Sequence, residues 1–517
     1  MKRLLFLLTF VYSVYLHAQQ LMYQKTYGTA LQDGCLWSEP TNDGGTILAG
    51  YTVVSSYWNM ELVKLSSTGV IQWSATYGAS YDDYAICVRQ TTDNGFIAIG
   101  TNNIQDIILF KTDANGILQW SKTLGGIGVD RGFEVQQTTD GGYAITANSN
   151  SFSNLGLWLI KTDSLGNVQW TKTYTGNRGC YLAGAKQTPD NGFILTTQIR
   201  DSLVVDIRDV LVIKTNSIGD TIWTRIIGGA GDEEPMDIDI TSDGGYVITG
   251  RTSSFGAGST DIFLTRLDAA GAIQWTKTYG GSNTEMCEDV DQTSDGGFIL
   301  SCWTGTQTFG GDDALLIRTN ANGDTLWTRQ YGQSGGDFPY SVYQANDGGF
   351  VTTGERYDLP MGEYQIFIIK TDTLGNSGCQ EKRCAPTITS PNMIRQHLNV
   401  VVGSGTATGT ITLQQSSSCS ETTLCTNVGI EESYLNAMQF MAYPVPSCTA
   451  VTIASFSSTI ETTCLLYNQL GEQVSATIIN EGNAFTVQHG NLPAGMYTAV
   501  ISNENESIAS LTLLFAD

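Results

Sequence analysis

Two Asp-x-Asp pairs, Asp237 with Asp239 and Asp289 with Asp291, stand 52 residues apart in the chain and are the residues best placed to do chemistry. Each lies just ahead of an Asp-Gly-Gly turn, at Asp243 and Asp295. The position four residues before each such turn reads Glu39, Arg89, Gln136, Lys186, Asp239, Asp291 and Tyr343 along the chain. The position six before reads Trp37, Cys87, Glu134, Gly184, Asp237, Asp289 and Ser341. On an extended strand a spacing of two puts both series on one face. Four carboxylates gathered that way repel unless they are solvated, or neutralised by a cation or by Arg89 and Lys186 across a channel. The group reads either as a ligand or calcium site or as a water-filled polar channel. Paired acids of this kind could also cleave glycosides.

A second set of acids recurs in register: Asp33, Asp83, Asp130, Glu233, Glu285 and Asp337, with Cys180 at the remaining place. They are expected in the loops between repeats, on the face shared with a variable loop that carries Asp106, Asp209, Asp261 and Asp313. Hard cations take carboxylate oxygens, so this ring is a candidate calcium set; its alternative is to cap turns and join neighbouring repeats. No cofactor is evident, and calcium is the one cation these groups would suit. Histidine occurs only at His17, His397 and His489, so a Ser-His-Asp triad or a His-based zinc site is excluded from the repeats.

The elements that position these acids come from an internal repeat. The aromatics Tyr23, Trp73, Trp120, Trp170, Trp223, Trp275 and Trp327 step by 50, 47, 50, 53, 52 and 52 residues. The turn aspartates Asp43, Asp93, Asp140, Asp190, Asp243, Asp295 and Asp347 follow each aromatic by 20 and so step identically. A basic residue precedes each Trp by nine: Lys64, Lys111, Lys161, Lys214, Arg266 and Arg318, with Lys370 closing the series. All length variation therefore falls between the turn and the basic residue, the mark of a surface loop. Asp-Gly and Asp-Asn-Gly are hairpin signals because such turns need positive φ. Four short antiparallel strands per unit, seven times over, give an all-β fold: a seven-bladed β-propeller. The last unit has Cys379 where its Trp belongs, so it lacks a fourth strand. "LMYQKTYG" at residues 21–28 supplies that strand and closes the ring. The repeated Trp and basic residues read as blade packing, with the basic stems covering apolar surface.

Residues 1–18, with Lys2 and Arg3 ahead of an apolar run, read as a signal peptide, and 19–380 as the propeller. No later stretch is apolar for long enough to cross a bilayer. Residues 381–430 are a Ser/Thr/Gly-rich linker or strand-rich spacer, and 431–517 a small β-sandwich. The net charge of −24 disfavours nucleic acid and suits an exported chain. Of eleven cysteines, Cys379 and Cys425 are a candidate bridge, whereas Cys287 and Cys302 on one predicted hairpin read as a bridge or as buried free thiols.

The segment "TSDGGYVITGRTSSFGAGSTDIFLTRLDAAGAIQWTKTYGG" resembles a bacterial propeller repeat of secreted proteins, which specifies a fold and carries no catalytic residues. Its "TSDGG" turn partly matches the Asp-box of sialidase-like propellers, without that box's Thr-Trp. The C-terminal region resembles the type IX secretion sorting domain of Bacteroidetes, through Tyr443, Pro444 and Pro446 in "YPVPS", Gly471 in "LLYNQLGEQV", and Pro493, Gly495 and Tyr497 in "NLPAGMYTAVIS". Val445 replaces the usual Asn, and the tail lacks the common basic residue. The resemblance implies handling by the type IX machinery and release or attachment at the cell surface. Together these features point to a non-enzymatic propeller that binds an extracellular glycan or protein on its variable-loop face. The alternatives are a carbohydrate-active enzyme using the Asp-x-Asp cluster and a structural envelope component.

Overall fold

The computed structural model describes residues 21–391, apart from short stretches, and a set of strand segments between 401 and 515. The signal-peptide reading and Cys379 therefore lie outside the described residues. The chain divides into a unit ending at Gly429 and a unit beginning at Ile430.

The first unit holds seven antiparallel sheets, each starting with an innermost strand. In blades 1 to 7 these are Asp33–Pro40, Asp83–Gln90, Asp130–Gln137, Cys180–Gln187, Glu233–Ile240, Glu285–Gln292 and Asp337–Gln344. Leu21–Gly28 pairs with Glu363–Lys370 as the fourth strand of blade 7, with Tyr23 opposite Lys370 just as Trp73 lies opposite Lys64 in blade 1. The cut-off first copy thus closes the ring.

The repeated marks hold each blade to itself and to the next. At every turn the basic residue pairs with the turn aspartate: Lys161 Nζ lies 2.8 Å from Asp140 and Lys64 Nζ 3.0 Å from Asp43. The same pairing recurs at Lys111, Lys214, Arg266, Arg318 and Lys370. Asp140 Oδ1 also accepts from Thr138 Oγ1 and the Gly142 amide. Positive φ is taken by Gly in five turns and by Asn94 and Asn191 in the Asp-Asn-Gly pair, so Asn stands in where the left-handed conformation is required. Each Trp packs on the aromatic that follows the next blade's turn, as Trp275 does on Phe298 at 6.0 Å and Trp73 on Phe96 at 5.7 Å. The Tyr of the repeat donates its hydroxyl to a turn carbonyl of the next blade, Tyr279 to Gly323 at 2.6 Å and Tyr27 to Gly69 at 2.7 Å.

Two features go beyond the repeat pattern. Every innermost strand carries a register shift in its first half, in six blades between its third and fifth residues, such as Cys287/Asp289 and Pro235/Asp237, and in blade 4 between Tyr181 and Gly184. In those six blades one residue is thereby left out of the ladder. The stretch expected as a linker runs back around the ring, adding a fifth strand to six blades. Glu381–Lys382 joins blade 6, Thr387–Thr389 blade 5, Val401–Gly403 blade 3, Thr408–Gly409 blade 2, Gln414–Ser416 blade 1 and Ser420–Val428 blade 7. Outer strands would otherwise present open hydrogen-bonding edges. The Thr- and Val-bearing composition, low in charge, that suggested a spacer equally suits short edge strands.

The second unit consists of two four-stranded antiparallel sheets, with Leu466, Val487, Tyr497 and Ala499 buried. Tyr443 ends the strand Phe440–Tyr443, and Gly495 begins Gly495–Ser502. Tyr497 donates its hydroxyl to the Pro493 carbonyl at 2.7 Å. Pro444, Pro446 and Gly471 lie outside the described residues.

Candidate functional site

All six residues singled out for a channel site, Arg89, Lys186, Asp237, Asp239, Asp289 and Asp291, line one cavity of about 500 Å³. Trp37, Glu39, Gln136 and Tyr343 are also part of its wall. These residues come from the second half of the innermost strands, beyond the register shift, so the spacing-of-two argument applies to them undisturbed. The cavity thus lies toward the Asp-Gly turns, away from the variable-loop side on which a ligand was expected.

The basic residues are shared among several acids. Arg89 lies 2.8 Å from Glu134 and 3.7 Å from Glu39, while Lys186 lies 2.7 Å from Glu134 and 3.9 Å from Asp237. Burial favours a neutral Glu134, but Lys186 and Arg89 outweigh it and hold the carboxyl below its usual range. Arg89 also covers the Trp37 ring at 4.7 Å, a cation–π contact. Several acids additionally brace the next blade. Asp289 accepts the Val342 amide at 2.7 Å, Glu134 the Ala185 amide at 2.9 Å, and Asp237 the Val290 amide at 3.4 Å.

Burial raises the proton affinity of three of these acids. Burial and then the neighbouring Asp239 push Asp291 up to about 7. Burial and the nearby Asp237 drive Asp289 well above the carboxylate range. Burial raises Asp239 too, against the opposing charge of Lys186. The cavity therefore gathers carboxyls of raised proton affinity together with the cations Arg89 and Lys186: an arrangement that can hydrogen-bond hydroxyls, hold an amine, or pass a proton.

The ring acids sit elsewhere. Each is the first residue of its innermost strand rather than a loop residue, and all six are buried. At about 3.3 Å per strand residue, Glu233 lies roughly 20 Å along the strand from Asp239. Most close the inter-blade loop by accepting a backbone amide from four residues earlier: Thr29 to Asp33 at 2.6 Å, Gly126 to Asp130 at 2.8 Å, Gly229 to Glu233 at 2.7 Å, Gly281 to Glu285 at 2.8 Å and Gln333 to Asp337 at 3.0 Å. Asp83 occupies the corresponding place in blade 2. The variable-loop acids lie beside them, close enough that Asp130 raises Asp106 and Asp337 contributes to holding Asp313 at about 6, in both cases after the larger effect of burial. Asp209 and Glu233 both flank Gly228. Among the described residues no three His, Cys, Asp or Glu side chains come together so as to hold a metal ion.

Glu288 and Glu355 escaped sequence reasoning. Burial pushes both to about 7; Glu288 accepts from Trp303 Nε1 at 3.2 Å. Glu288 is the residue that the register shift leaves out of its ladder, at an odd spacing from the Asp-x-Asp series, and an unbroken strand would point it the other way.

Comparison with known proteins bears on the two ends of the chain differently. Residues 441–512 match the secretion system C-terminal sorting domain. The regulatory protein FlaEY of Caulobacter vibrioides is 27% identical over 154 residues, 25% of this chain, and the chain spans 16% of that protein's length. Among solved structures, Sqt1 from Chaetomium thermophilum is 13% identical, with 66% of this chain and 85% of that chain covered at a TM-score of 0.41. Sqt1 bound to the N-terminus of ribosomal protein L10 is 12% identical, covering 65% of this chain and 88% of that chain at 0.40. Likenesses this distant say nothing about ligand or partner. No helix among the described residues is long and apolar enough to cross a membrane.

Proposed function

From the premise that a chain ending in a type IX sorting domain is taken by that machinery to the cell surface or beyond, we propose that this propeller is an extracellular binding protein. Its ligand is a glycan or a segment of another protein, and it enters the cavity between the Asp-x-Asp pairs and Arg89 and Lys186. The observation that carries this reading is the break in sevenfold symmetry. Elsewhere the repeated acids pair with repeated bases or with backbone amides, whereas the cavity positions differ from blade to blade and concentrate four acids on blades 5 and 6. Folding alone does not call for such a concentration, because each buried ion carries a desolvation penalty.

One observation favours a second reading. Asp291, pushed up to about 7 by burial and the neighbouring Asp239, is a carboxyl of raised proton affinity next to a second carboxyl, the kind of group that serves as the acid in glycoside cleavage. The test is a glycan-array measurement on the chain from residue 19 onward, with calcium and with chelator, repeated on Asp239→Asn/Asp291→Asn. Binding abolished in the double variant supports the cavity, and binding that survives it removes the cavity from consideration. Loss of released reducing sugar in the same variant would make the protein an enzyme. Silence across all glycans would turn the search to protein ligands or a structural role in the envelope.

A further inference from the structure

Blade 6 holds two thiols at a ladder step where five other blades carry glycine on one of the two strands. Cys287, in the innermost strand Glu285–Gln292, and Cys302, in the next strand Phe298–Thr304, are directly opposite partners in the ladder, one step before the register shift. The corresponding pairs are Cys35 with Gly50, Ala85 with Gly100, Gly132 with Ala147, Pro235 with Gly250 and Pro339 with Gly354. A Cβ added at Gly50, Gly250 or Gly354 would lie 1.8, 2.0 and 2.0 Å from the carbonyl oxygen of Gly34, Glu234 or Phe338. The bulge draws the two strands together at this step. Blade 6 nevertheless carries a cysteine on both strands, and their sulfurs lie 2.8 Å apart, both fully buried.

Opposite residues of an antiparallel pair have Cα atoms about 4.5–5.5 Å apart, inside the roughly 4.4–6.8 Å that a disulfide spans. We propose that in the exported protein Cys287 and Cys302 are joined by a cross-strand disulfide, a covalent clasp on blade 6 where the other blades rely on close backbone approach. The oxidant is a disulfide donor, protein or small molecule, of the kind met after export from a reducing compartment. One cysteine thiolate attacks a donor sulfur and expels the first donor thiolate. The second cysteine thiolate then attacks the mixed disulfide and expels the second donor thiolate. Two protons and two electrons pass from the cysteines to the donor, which leaves as two thiols. With both sulfurs sealed in the folded blade, and burial and the adjacent Cys287 holding the Cys302 thiol protonated, exchange occurs while the blade is still open.

Digestion with trypsin places both cysteines, and no other, on the peptide of residues 278–318. The full chain, exported to an oxidising compartment and purified without reductant, is denatured in an alkylating agent, digested and weighed. The expected peptide is two hydrogens lighter than its reduced form and carries no alkyl group until reductant is added. Recovery of the doubly alkylated peptide, or of either cysteine joined to a different one, would overturn the proposal. A second arm uses chain folded in a reducing cytosol and then exposed to oxidised glutathione. That peptide is expected to remain doubly alkylated, and its oxidation in the folded state would overturn the claim that the bond precedes closure of the blade.

Discussion

Removing residues 21–28 deletes one strand yet breaks two ladders, because Leu21–Gly28 lies between Glu363–Lys370 and Ser420–Val428. The strand buries Met22, Tyr23 and Tyr27 and carries the hydrogen bond from Tyr27 to Gly69 of blade 1. Three large side chains at about 1.5–3 kcal/mol each amount to about 5–9 kcal/mol. Total stabilities are typically about 5–15 kcal/mol, so the truncated chain is expected to lose most of its margin. The assay compares urea and thermal unfolding of chains beginning at residues 19 and 29, with a synthetic peptide of residues 19–30 added to the shorter one. The expected outcome is a large fall in the unfolding midpoint, partly restored by the peptide in a saturable way. An unchanged midpoint would refute closure by this strand. A fall that the peptide leaves untouched would refute the view that its contribution comes from pairing.

Stability is expected to fall as pH rises from about 5 to 8. Asp291, Glu288 and Glu355 sit at about 7 and Glu61 at about 8, all raised chiefly by burial. Unfolded carboxyls titrate near 4, so across this window the folded chain binds more protons than the unfolded one and loses ground as they leave. Thermal melts at pH 5 and 8 check this, and Asp291→Asn should flatten the slope; a melting temperature that climbs with pH would contradict it. Below that window the turn aspartates act in the opposite sense: Asp140 and Asp190 are lowered to about 2, so what they contribute is present above about 4 and disappears as pH falls through 2. Lys161→Met keeps the apolar stem but removes bonds to Asp140, Gln169 and the Thr162 carbonyl, and should cost about 1–3 kcal/mol in urea unfolding.

The blade count, the closing strand and the cavity residues were legible because each rests on spacing alone. The step of 47 to 53 residues fixes the blades, and a spacing of two fixes which side of a strand Asp237 and Asp239 share. The turn Asp and the basic residue were both visible as marks, but their ion pair joins neighbouring strands of one sheet, and strand pairing is not carried by either mark. The bulge that leaves Glu288 out of its ladder has no residue-type signature, since its position is Leu36 in blade 1, Met236 in blade 5 and Tyr340 in blade 7. Five of the six edge strands of 381–428 were illegible for a related reason: two- and three-residue pairings are too short to show a period. The ring acids were misplaced by a single step, from loop to strand start, where burial and an amide donor replace exposure to a ligand.

Made from its N-terminus, the chain produces the strand Leu21–Gly28 before any blade exists, yet both neighbours of that strand belong to its last stretches, 363–370 and 420–428. Blades 1 to 6 can each form as local hairpins, but the ring cannot close until residue 370 has emerged, and the outer edge of the first strand stays open until 428 has. The first strand is therefore a waiting end: an extended segment with Tyr23 and Tyr27 uncovered throughout synthesis, offering two open edges to anything that meets it. For a protein whose route leads out of the cell, that interval separates a chain still able to be threaded from one that has locked.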